Sequence, residues 1–235
     1  MNQRPPKQRF TRVNEEWLHA VRSRVVRWGQ RHYVSYPWRK STDGWLTLAA
    51  EVLLQRTRAA QALTAYKVLE SRYPTPEAFL RGGSRAVQRL TALTGLHGRG
   101  RLLIDIALRI RRNGLPATLP DLYAIRGIGA YIAGAWLSLH RGQRVAIVDS
   151  NVYRWLGRMT GETYGRDPRG VQWVNQLADR LTPKRSFRTY NYAVLDFTMQ
   201  VCTPRTPHCE ECPLNRFCIT GRGVLREGTH GKAIL

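Results

Sequence analysis

No apolar run in the chain approaches the roughly 18 residues that a membrane-spanning helix needs, and the polar N-terminus lacks the apolar stretch of a signal peptide. Both absences lead to the expectation of a soluble, cytoplasmic protein. Cysteine is missing from most of the 235-residue sequence: all four fall between Cys202 and Cys218. A disulfide framework spreads its cysteines to staple distant segments, so this clustering argues against one and points to a metal. Acidic residues are scarce as well, 16 Asp and Glu against 38 Lys and Arg, for a net charge of +22. A polyanion is the economical partner, because phosphate contacts release condensed counterions. High arginine also follows from genome composition or ribosomal residence, so charge alone does not choose. With 43% hydrophobic residues, the chain can build one large core or two small ones.

Residues 1–12 carry two prolines and no apolar periodicity, and read as a basic flexible arm. Along 14–29, Trp17, Val21, Val25 and Trp28 recur at helical spacing, with Leu18 widening the face. YPWRKSTDGW reads as a loop. A strongly apolar helix is expected from Trp45 to about Ala59 and another through Leu69. Shorter helices follow at 76–80, 84–93, 99–112 and 119–124, separated by Gly, Pro or a turn. An apolar stretch covers Tyr131 to Leu139, then Val145 to Val148 runs extended into a helix at 151–157. Four residues without partner strands make a poor sheet. Helices at 171–181 and 186–202 complete an all-α chain of about ten helices with short loops.

The cysteine spacing is C-x6-C-x2-C-x5-C: Cys202, Cys209, Cys212, Cys218. Four clustered thiolates suit tetrahedral zinc or a [4Fe–4S] cube. Zinc ribbons pair two CxxC knuckles, whereas only Cys209 and Cys212 form one here, and Cys202 ends an apolar helix.

In LYAIRGIGAYIAGA, Gly127 and Gly129 allow a sharp turn between helices while Ile125 and Ile128 pin it to the core. Amides at Gly127, Gly129 and Ala130 would then face a phosphate, although an ordinary helical turn has the same glycines. Asp149 follows an apolar run and either caps the next helix or faces a cavity. Glu51 lies in LTLAAEVLLQ, where an acid is costly unless it is functional or ion-paired, an arginine being the expected partner.

Together these residues resemble the helix-hairpin-helix DNA glycosylases, specifically the endonuclease III and adenine glycosylase branch, over about residues 20–220. The resemblance implies a [4Fe–4S] cluster on the four cysteines, with Arg205, His208 and Arg216 of that loop approaching phosphates. It implies two helical domains: a six-helix barrel over 40–145, and a cluster domain from 13–39 and 146–220, with 221–235 as a tail. Double-stranded DNA with a flipped base would occupy the cleft between the domains, bound by a monomer. Asp149 would be essential, and Glu51 and Tyr131 would line the base pocket. Gln55, Arg56 and Thr57, with Leu96 and His97, are candidates to fill the gap left by the flipped base, or else plain surface residues.

Position 131 separates the branches. Bifunctional endonuclease III enzymes resemble one another in carrying a lysine there, whose amine forms an imine; Tyr131 cannot. Tyrosine with EVLLQRT resembles the mismatch-specific thymine glycosylases, which remove T or U opposite G without strand cleavage. Adenine glycosylases share the glutamate. Against them stand Gly98, where they carry an intercalating tyrosine, and the seventeen residues after Cys218, too few for an 8-oxoguanine-reading domain. A glycosylase for another damaged base remains an alternative. A non-catalytic hairpin module would need neither Glu51 nor Asp149.

Overall fold

The structure is a computed structural model that describes residues 13–55, 57–95, 97–162 and 172–230. Among them every regular element is helical: α1 (Glu15–Arg31), α2 (Pro37–Lys40), α3 (Gly44–Leu54), α4 (Ala59–Arg72), α5 (Pro76–Thr94), α6 (Gly100–Asn113), α7 (Leu119–Tyr123), α8 (Ala130–His140), α9 (Ser150–Thr160), α10 (Gln172–Leu181), α11 (Phe187–Gln200) and α12 (Ile219–His230). Residues 142–149 run without strand pairing into α9. The chain divides into two compact units, Val34–Gln143 and the combination of Met1–Tyr33 with Arg144–Leu235. No helix among the described residues is long and apolar enough to cross a membrane.

The Val34–Gln143 unit holds α2 to α8. Asp43 caps α3, accepting from the Leu46 amide at 2.8 Å. Ten residues of α3 are buried, so an apolar sequence on all sides gives a central helix rather than an amphipathic one. Trp136 and Leu139 of α8, Phe79 of α5 and Leu103 of α6 are buried with it. The expected helix to Ala59 stops at Leu54: Gln55 turns extended, and Arg99 Nη1 donates to the Val52 and Gln55 carbonyls, both at 2.8 Å. That guanidinium satisfies acceptors which a longer helix would have bonded itself. The segments 76–80 and 84–93 belong to one element kinked at Gly83, whose φ of 53° an L side chain disfavours. The expected loop at 36–45 contains the short α2, started by Pro37 at its first position.

In the other unit, Leu18, Val21 and Val25 of α1 meet Trp155 and Leu156 of α9, Leu177 of α10 and Phe197 of α11 in one core. Trp17 and Trp28, expected on the same apolar face, are only partly buried; Trp17 Nε1 donates to the Phe217 carbonyl at 3.3 Å. Residues 221–230, expected as a tail, continue α12 beyond the cysteine loop.

Candidate active site and cysteine loop

Across the α3–α8 seam, Trp136 Nε1 donates to Thr47 Oγ1 at 3.2 Å and His140 Nε2 lies 3.0 Å from Glu51 Oε1. Each pair is four residues along from the other on both helices, so the two rungs sit one turn apart. The His140 and Glu51 side chains are 2% and 3% exposed. The buried acid is therefore paired, but with histidine and not the expected arginine. His140 was not singled out from sequence; a histidine ending an apolar helix gives no signal of a partner 89 residues away. Tyr131 stands half-buried on the first turn of α8, nine residues from His140. That is about 14 Å along the helix axis.

Tyr131 follows the hairpin directly. Ile125 and Ile128 are buried at 4% and 7%, while Gly127, Gly129 and Ala130 are exposed. Gly127 has φ 97°, the left-handed turn that this hairpin requires. Gly129 is the N-cap of α8 and offers no side chain to its first amides. Those amides have no intrahelical acceptor, and no atom lies within 4 Å of where a Gly129 Cβ would be. The arrangement presents N–H donors and the positive end of a helix dipole to an anion.

Asp149, in the other unit, is the N-cap of α9. Its Oδ1 accepts from the Asn151 and Val152 amides at 2.9 and 2.8 Å, and Oδ2 accepts from Asn151 Nδ2 at 2.8 Å. Capping thus holds, and it fixes the rotamer of a half-buried carboxylate. Arg154 Nη1 donates to Asn151 Oδ1 at 2.9 Å, while its Nη2 and Nε donate to the Cys202 carbonyl at 2.7 and 3.1 Å.

All four cysteines line one recess, floored by Trp155 and Phe197. None is in a disulfide. Burial pushes the Cys212 thiol up to about 12 and the Cys218 thiol up to about 11, and raises Cys209 too. Donors nevertheless point at the sulfurs: the Leu214 amide at Cys212 Sγ and the Gly221 amide at Cys218 Sγ, both 3.4 Å, and Arg158 Nη1 at Cys202 Sγ, 3.5 Å. Such sulfurs become thiolates when a buried positive group takes the proton's place, so the donor set fits a metal centre. Among the described residues, no three His, Cys, Asp or Glu side chains converge tightly enough to hold a single ion. Arg205, His208 and Arg216 are exposed on the same loop. Of the gap-filling candidates, Gln55 and Thr57 form the turn after α3, with Thr57 Oγ1 donating to the Gln55 carbonyl at 3.2 Å. Arg56, Leu96 and the His97 side chain, like the 1–12 arm, lie outside the described residues.

An all-α fold of two units, one with a glycine hairpin and one with a four-cysteine loop, defines the endonuclease III architecture. Residues 49–172 match the family described as HhH-GPD superfamily base excision DNA repair protein, and residues 202–218 match the iron-sulfur binding domain of endonuclease III. The thymine-DNA glycosylase of Aeropyrum pernix is 34% identical over 211 residues, covering 86% of this chain and 94% of that one. An adenine DNA glycosylase of Mycobacterium tuberculosis is 32% identical over 205 residues, covering 84% and 66%. Among solved structures, a thermostable thymine-DNA glycosylase superposes with TM-score 0.81 at 25% identity, over 88% of this chain and 98% of that chain. Endonuclease III in a non-covalent DNA complex shares the fold with TM-score 0.74 at 19% identity, over 89% and 98%. The chain belongs to the HhH-GPD superfamily of base excision DNA repair proteins and is a DNA N-glycosylase.

Proposed function

We propose that the protein removes thymine or uracil mispaired with guanine in double-stranded DNA, as a monofunctional glycosylase with little or no strand cleavage. Similarity to a thymine-DNA glycosylase over 94% of that protein's length carries the reading. Tyr131 supports its mode, since a phenol next to the hairpin supplies no amine for an imine.

The target base is turned out of the stack, at a lower cost where it is mispaired. Amides of Gly127, Gly129 and Ala130 hold the phosphate beside it, and Gln55, Arg56, Thr57, Leu96 and His97 fill the gap. As the bond between the base nitrogen and sugar C1′ breaks, the base leaves with the electron pair and the sugar becomes cationic. Asp149, its rotamer fixed by the α9 amides, stabilises that charge. Water then adds to C1′ and loses a proton, with Glu51 orienting it. Tyr131 stacks on or hydrogen-bonds to the base.

Cys202, Cys209, Cys212 and Cys218 would hold a [4Fe–4S] cluster. The match of residues 202–218 to the iron-sulfur binding domain of endonuclease III supports a cluster over zinc at these four sulfurs. When bound, the cluster cross-links the loop and so holds Arg205 and Arg216 ready for phosphates.

Single-turnover assays on duplexes with T or U opposite G, and with adenine opposite G or 8-oxoguanine, test this. Strand breaks at G·T and G·U that need alkali are expected. Adenine release instead would move the protein to the branch of its 32%-identical Mycobacterium tuberculosis relative.

A further inference from the structure

His140 is buried with one ring nitrogen bonded and one bare: Nε2 meets Glu51 Oε1 at 3.0 Å, and Nδ1 has no partner. Among the described residues Glu51 Oε2 takes no donor, and it is not among the sealed, unpartnered atoms. Three proton placements are available. A proton on Nδ1 leaves a buried N–H unsatisfied and makes the Glu51 contact a neutral one. Protons on both nitrogens leave that N–H unsatisfied on a cation. A single proton on Nε2 gives a charge-assisted bond to the carboxylate and strands only a lone pair, the least costly group to leave bare.

We infer that His140 is a positioning residue whose Nε2–H holds Glu51 as a carboxylate, leaving Oε2 as a hydrogen-bond acceptor. This rests on the proposed role of Glu51 at the base. The consequence is a restriction of chemistry. Oε2 accepts from water or from an N–H on the base, such as the imide N3–H of thymine or uracil, and has no proton to give to a leaving base. Histidine also fixes one rotamer of a side chain that otherwise has three free torsions.

The test uses cluster-loaded full-length protein with 15N-histidine. Long-range proton–nitrogen spectra, with the His140 signals identified by their loss in His140→Gln, should show the Nε2–H tautomer; an Nδ1–H or doubly protonated ring overturns the inference. This arm is independent of which base is released, so failure to process G·T would sink only the substrate reading. Rates supply the second arm. Gln places its amide nitrogen where Nε2 lies, and Asn places its own where Nδ1 lies. His140→Gln should stay within about threefold of the parent single-turnover rate, and His140→Asn should lose about tenfold to a hundredfold with unchanged DNA affinity. In a Glu51→Gln background the two should be equal. Equal rates in the parent background, or an undiminished Asn defect in the Glu51→Gln background, would overturn the inference.

Discussion

Only two side chains separate the Asp149 carboxylate from the Cys202 carbonyl. Asn151 Nδ2 donates to Asp149 Oδ2, and Arg154 joins Asn151 Oδ1 to the Cys202 oxygen through bonds of 2.7–3.1 Å. Arg154 also donates to the Thr198 carbonyl at 2.8 Å, so it ties α9 both to the end of α11 and to the cysteine loop. Arg154→Leu removes a cation from the two part-buried carbonyls of Cys202 and Thr198 and frees Asn151. It should slow base release by about tenfold or more and hasten loss of the proposed cluster's visible absorption on dilution. Single-turnover rates and absorbance followed on one preparation check both halves. A slowed rate with an unchanged cluster lifetime would confine Arg154 to Asp149.

Asp149 caps α9 and, in the proposed mechanism, stabilises a cationic sugar, and substitution separates the two. Asn keeps an oxygen for the Asn151 and Val152 amides but turns an N–H toward Asn151 Nδ2, so Asp149→Asn should keep the cap and cost about 0.5–1 kcal/mol from that one lost bond. On the proposed mechanism it also removes the negative charge that stabilises a cationic sugar, and base release should fall by about a hundredfold or more. Asp149→Ala should lose the same activity and about 1 kcal/mol of stability beyond the Asn variant, because it loses the cap as well. Denaturant melts beside single-turnover rates distinguish the cases, and equal stability of the two variants would remove capping from the account.

Much of this was legible because the signals were local. Apolar spacing within single elements placed α1, α6 and α9 to α11 nearly where they lie, and an unbroken apolar run placed α8, which is buried from Ile132 to Leu139. The cysteine spacing and the DSN cap before α9 are local too. What sequence hid depends on distant packing. Glu51 was conspicuous, but its partner His140 lies 89 residues on, and no spacing rule reaches that far. Arg99 ending α3 is the same kind of contact. Residues 221–230, expected as a tail, are helical, and Gly221 there is fixed by a close packing contact, since a Cβ would stand 3.0 Å from the Asn215 backbone.

The hairpin glycines should fail differently. Gly127 sits at φ 97°, so Gly127→Ala imposes a left-handed backbone on an L residue, costing about 1–2 kcal/mol. Gly129 has an ordinary φ of −100° and open space around a Cβ, so Gly129→Ala should leave stability nearly unchanged. Its methyl would stand before amides assigned to a phosphate, and DNA affinity should drop. Thermal melts and fluorescence anisotropy with a duplex at fixed salt test the pair. Unaltered affinity in Gly129→Ala would move the phosphate elsewhere.

Tyr131→Lys puts an amine on the first turn of α8, beside the hairpin and the positive end of the helix dipole. Nearby positive potential disfavours protonation of that amine and makes it a better nucleophile toward the sugar C1′. The variant should therefore gain strand cleavage without alkali and form a borohydride-trapped adduct with DNA, both absent or weak in the parent. The trap reports the covalent step directly, as a shifted band on a denaturing gel. A folded variant that releases the base but forms no adduct would mean that residue 131 does not reach the sugar, and would remove Tyr131 from the base pocket. Adduct formation by the parent would reveal an amine elsewhere in reach of C1′ and end the monofunctional reading.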